Sequence, residues 1–92
     1  MATLATDLPR VLSSVVVVQQ DDSDWFLVNL ERGDSVAVCR AEAKVFERCR
    51  SGGTVEVAAH DLAAELAEDE ALTLPRVRAA IAHFREWGLC SS

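Results

Sequence analysis

The hydrophobic period changes once along this chain, near Cys39, and that change restricts the fold more than any other feature. Before it come three short runs rich in β-branched and aromatic residues: Ser14 to Gln19 (SVVVVQ), Trp25 to Leu30 (WFLVNL) and Ser35 to Cys39 (SVAVC). Such residues fit a pleated, half-buried backbone. Asp21, Asp22, Ser23 and Asp24 separate the first two runs. Glu31-Arg32-Gly33-Asp34 separates the second and third, with Gly33 free to take a positive φ. Connections this short join antiparallel neighbours, so the runs predict a three-stranded meander.

Beyond Cys39 the apolar residues recur at helical spacing. Between Ala41 and Arg50, Val45, Phe46 and Cys49 share a face, and Gly52-Gly53 stops the helix. Thr54 is suited to cap a second helix whose face is Val55, Ala59, Leu62 and Leu66. Thr54 to Val57 alone also reads as a strand, but the Ala-rich continuation favours a helix. Glu68-Asp69-Glu70 reads as a solvated acidic loop. A third helix follows from Leu74 to Trp87, with Leu74, Val77, Ile81 and Phe84 on one stripe, Pro75 near the first turn and Gly88 at the stop. The predicted architecture is α+β, a three-stranded antiparallel sheet followed by three helices that cover one face of it. Residues 1–13 read as an N-terminal arm, in which Pro9 discourages a helix, and residues 14–90 as the domain.

The 92 residues suffice for one core. Nine basic residues against fifteen acidic ones give a net charge of −6, the opposite of what phosphate neutralisation requires, so the composition argues against a nucleic-acid partner. The three cysteines, Cys39, Cys49 and Cys90, form no CxxC and no even set, which points to free thiols in a reducing compartment. The start of the chain lacks the charged and apolar blocks of a signal peptide. The longest strictly apolar run is Val15 to Val18, so no membrane span is expected and cytoplasmic residence follows.

The residues offer little to a catalyst. His60 and His83 are the only imidazoles, both expected on exposed parts of helices, and none of the common nucleophile, zinc or phosphate-loop motifs is present. The carboxylates Asp21, Asp22 and Asp24 suit a hairpin turn on conformational grounds alone. No enzyme activity, cofactor or metal is expected.

The surface is more informative. The third run, SVAVC, is expected at a sheet edge and carries no proline or inward charge to block pairing, so an extended peptide could add beside it. Val38 is expected to lend a ladder donor to such a guest. The sheet also has a surplus apolar face: Phe26, Val28 and Leu30 point one way while Trp25 and Leu27 point the other. Either the arm, through Leu4, Leu8 and Leu12, or a second protein or copy is expected to cover it.

With that element order, the chain resembles the PqqD-like family, the recognition elements of ribosomally made and modified peptides (RiPP recognition elements). The resemblance spans Ser14 to Leu89. It rests on WFLVNLERGDSVAVC, AEAKVFERC, SGGTVEVAAHDLAAEL and the closing LPRVRAAIAHFREWGL. The chain departs from the family at Cys39-Arg40-Ala41-Glu42, where members carry a Leu-Asn-type entry to the first helix. The resemblance implies a winged helix-turn-helix-like fold without catalysis. It implies binding of a precursor's leader peptide as an added strand, and delivery to a modifying enzyme such as a radical-SAM maturase or a peptidase. By position it implies a groove of Val36, Ala37, Val38 and Cys39 facing Val77, Arg78, Ile81, Ala82 and Arg85, with the two arginines pairing to acidic leader residues. A winged-helix DNA-binding regulator is the competing reading, with Arg76, Arg78 and Arg85 as its basic residues, and a homodimer through the surplus sheet face is a further possibility.

Overall fold

The computed structural model describes residues 6–91. Three strands, β1 (Val15–Gln19), β2 (Trp25–Asn29) and β3 (Asp34–Val38), precede three helices, α1 (Arg40–Ser51), α2 (Val55–Leu66) and α3 (Glu70–Glu86). The sheet is an antiparallel meander in the order β1-β2-β3, so β1 and β3 are both edges. This is the α+β order of three antiparallel strands and three helices that the change of period implies, and it agrees with the winged-helix-like fold that the resemblance implies.

Turn chemistry sets the register. Asp21 Oδ1 accepts hydrogen bonds from the backbone N–H groups of Ser23 and Asp24, both at 3.0 Å, and those donors hold its carboxyl below the ordinary range. The second turn is organised by Asn29. Its buried carboxamide oxygen accepts from the N–H groups of Glu31 and Arg32 and from the Ser14 hydroxyl, while Gly33 takes φ +77°.

One sheet face, including Val15, Val17, Leu27, Val36 and Val38, packs on the helices. The centre of the core is an edge-to-face pair, Phe46 of α1 and Phe84 of α3, with ring centroids 5.3 Å apart. Thr54 caps α2 as expected, its hydroxyl accepting from Val57 N–H at 3.2 Å.

Of the acidic segment, Glu68 and Asp69 lie in the connection as expected, whereas Glu70 already opens a helix. Asp69 caps α3, its carboxylate accepting from Ala71 N–H at 3.0 Å, and Glu68 makes two contacts of 2.6 and 2.8 Å with Arg76. The helix thus begins at Glu70, four residues before Leu74, and Pro75 lies inside it rather than in its first turn. Pro75 is tolerated there because it and Ala71, whose carbonyl loses its usual donor, face solvent.

The arm takes an unexpected course. Bridges pair Asp7 with Thr54 and Val11 with Cys90, and Leu8, Val11 and Leu12 pack on the helical side of the core. Leu4 lies outside the described residues. The described part of the arm therefore leaves the outer sheet face uncovered: Val16, Phe26 and Val28 are partly buried there, and Val18 and Leu30 are exposed, Leu30 at 66%. No helix among the described residues is long and apolar enough to cross a membrane.

Candidate functional site

Backbone parity decides what β3 can offer a guest. Leu30 N–H donates to Ser14 carbonyl and Gln20 N–H to Asp24 carbonyl, so the even-numbered residues of β2 turn their polar groups toward β1. Hydrogen-bonded pairs alternate along an antiparallel ladder, so Trp25, Leu27 and Asn29 bond with Val38, Val36 and Asp34. It follows that Ser35 and Ala37 point their N–H and C=O groups outward, away from the sheet. Val38 spends its N–H on β2, contrary to the expectation that it would serve a guest.

Cys39 closes the far end of this edge. Its N–H donates to Glu42 Oε1 at 3.1 Å, and its carbonyl accepts from Ala43 in the first turn of α1. Glu42 also meets His83 Nδ1 through Oε2 at 3.1 Å. Partial burial pushes the Glu42 carboxyl up, but the hydrogen bonds from His83 and Cys39 outweigh it and leave the group below its ordinary value.

One depression lies between the start of β3 and the residues that follow α3, and a second lies between α1 and α3 beyond the end of β3. The first, about 180 Å³, is bounded by Leu27, Asn29, Ser35, Val36, Trp87 and Leu89, with Arg32 and Asp34 at the rim. The second, about 300 Å³, lies among Cys39, Ala41, Glu42, Val45, Arg76, Ala79, Ala80 and His83. The stacked rings of His83 and Trp87, 5.3 Å between centroids, join them into one path. Ala79, Ala80 and His83 of α3 border the second depression, and Trp87, the residue that closes α3, borders the first.

The nine residues expected in a groove are thus divided. Val36, Ala37 and Val38 lie on the edge strand β3, whereas Cys39 follows it as the N-cap of α1. Val77 and Ile81 are buried in the core beneath it. Arg78, Ala82 and Arg85 do not face β3; they line a separate depression with Thr6, Asp7, Val55 and Ile81. At ~100° per residue, Arg78 and Arg85 lie roughly 140–160° around α3 from His83. Arg76 lies on the β3 flank and is engaged by Glu68, so the three arginines do not compose one basic helix face.

Sequence reasoning missed the wall. His83 and Trp87 are spaced i, i+4 beside the apolar stripe, which was a usable signal, and Asn29 was the one amide inside an otherwise apolar strand. The catalytic inventory stays short. Among the described residues no three His, Cys, Asp or Glu side chains converge on a metal position. Cys39, Cys49 and Cys90 are free, and burial pushes the Cys49 thiol up to about 12, far from a reactive thiolate.

No protein-family model matches the chain, and no curated protein does. Solved structures do. TbiB1 in complex with the TbiA(beta) leader peptide superposes with a TM-score of 0.70 at 16% identity, over 90% of this chain and 95% of that one. A lasso peptide synthetase B1 complexed with the leader peptide gives 0.71 at 18% identity, over 92% and 99%. At such identity the likeness establishes a shared fold across nearly the whole of both chains.

Proposed function

We propose that this chain is a non-catalytic recognition element: it binds the leader segment of a ribosomally synthesised precursor peptide by strand addition to β3 and presents it to a modifying enzyme. The observation that carries this reading is the pair of outward-facing backbone sites at Ser35 and Ala37, set beside a groove whose opposite wall is α3. Main-chain pairing supplies orientation, and the two depressions select side chains. The two structural neighbours, each solved with a leader peptide, support the same use of this fold. The groove residues are Ser35, Val36, Ala37, Val38 and Cys39 on the strand side, with Ala79, Ala80, His83 and Trp87 on the helix side.

The enzyme served is a peptidase or a maturase such as a radical-SAM protein, acting in the cytoplasm where the free thiols stay reduced. Calorimetric titration of the chain with the leader of a precursor encoded beside it tests the reading. A saturable heat in the micromolar range is expected. Absence of binding by every neighbouring leader at high micromolar concentration overturns it.

The outer sheet face, where Val18 and Leu30 are exposed beside the partly exposed Val16, Phe26 and Val28, favours an additional contact between two copies. Sedimentation of the wild type and of Phe26→Lys gives the outcome: a dimer lost in the variant supports self-association, and a wild-type monomer removes it.

A further inference from the structure

The flank of α3 that turns away from β3 carries two cations in a molecule that is acidic overall. The protein has a net charge of −6, and Arg32, Lys44, Arg48 and Arg76 are each tied to a carboxylate. Arg78 and Arg85, like Arg40, have no ion pair or hydrogen bond to their guanidinium groups among the described residues. They are seven residues apart, so two helical turns place them on one stripe about 10 Å apart.

Between them the surface is apolar and concave. Val55 and Ile81 form the floor of a depression of about 240 Å³, Ala82 leaves it open, and the arm closes one side through Thr6 and Asp7. Asp7 lines the same depression without reaching either arginine to within ion-pair distance. The arm is fixed there: Val55 N–H donates to Thr6 carbonyl at 2.7 Å and Leu8 N–H to Gly53 carbonyl at 2.9 Å. The cleft is therefore a built feature, with a cation at each end and hydrocarbon between.

We infer that this face is a second docking surface, taking an acidic amphipathic segment of the enzyme that receives the leader: two carboxylates about 10 Å apart for Arg78 and Arg85, and an apolar side chain between them for Val55, Ile81 and Ala82. Charge complementarity favours an acidic segment, and the long-range repulsion of a −6 chain disfavours a polyanion such as duplex DNA. Because the face lies across α3 from the β3 groove, both segments can be held at once. The identity of the second partner rests on the reading that the groove takes the leader.

Overlapping peptides that tile the neighbouring precursor and its modifying enzymes, presented to the full chain, test this. One variant carries Arg78→Glu and Arg85→Glu, another Ala37→Pro. The expected result is an acidic enzyme tile whose binding falls roughly tenfold or more in the double arginine variant and is recovered when the tile's carboxylates become lysines. That tile is expected to bind the Ala37→Pro variant unchanged, while leader tiles show the reverse pattern. The inference is overturned if leader tiles depend on the arginines, if duplex DNA or self-association does, or if no acidic enzyme tile binds the wild type. Loss of leader binding to every form sinks the groove instead. An unaltered melting temperature in the arginine variant separates these results from misfolding, because both side chains are exposed.

Discussion

Glu42 and His83 meet at 3.1 Å and tie the first turn of α1 to the last turn of α3 at the far end of β3. The same carboxylate accepts the Cys39 N–H, so one side chain sets the spacing between the strand's exit and the helix wall.

Stability should register this arrangement through pH. A carboxyl held below its ordinary value contributes stability that is fully present above the unfolded value, here 4.5, and is lost as pH falls through the lower folded value. The gap in urea midpoint between wild type and Glu42→Gln should therefore stay constant from neutral pH to about 5 and narrow on further acidification. A gap that widens in acid contradicts the arrangement.

Ala37→Pro removes an outward N–H and leaves the β2–β3 ladder intact, so leader affinity should fall by about tenfold or more while the melting temperature changes little. Val38→Pro removes an inner ladder donor from a buried position, so it should unfold the sheet edge instead. Calorimetry and thermal melts on the two variants distinguish the two roles.

Trp87 is half-buried, stacks on His83 and lines the first depression. Trp87→Ala should weaken leader binding by roughly 1–2 kcal/mol, read as a higher Kd by titration. A leader indifferent to this change does not run along α3.

Asn29→Ala removes an acceptor shared by two turn N–H groups and the Ser14 hydroxyl. The cost should be about 1–3 kcal/mol in urea unfolding. Leader affinity should fall as well, because the turn holds Arg32 and Asp34 at the groove rim.

The strands were legible because their β-branched runs end in residues with one plain conformational use, such as Asp21 and Gly33. The start of α3 was not: Pro75 reads as a first-turn residue, whereas the Asp69 cap and solvent at Ala71 let the helix run four residues further back. The wall of the groove was hidden for a different reason. Both flanks of α3 hold small residues and cations, Arg76 with Ala79 and Arg78 with Ala82, and helical period alone cannot say which one faces β3. That choice is made by tertiary packing, through Phe46 on Phe84 and Glu42 on His83.

The outward edge of β3 spans only Ser35 and Ala37, since Cys39 is already engaged. Two residues lend four polar main-chain groups, together worth about 4 kcal/mol before any cost of association, which is no better than a millimolar complex. Stray extended segments in a crowded cell would dissociate from such a short foothold. Retention must come from what the side chains meet beside His83 and Trp87, so the molecule discriminates because its backbone offers so little.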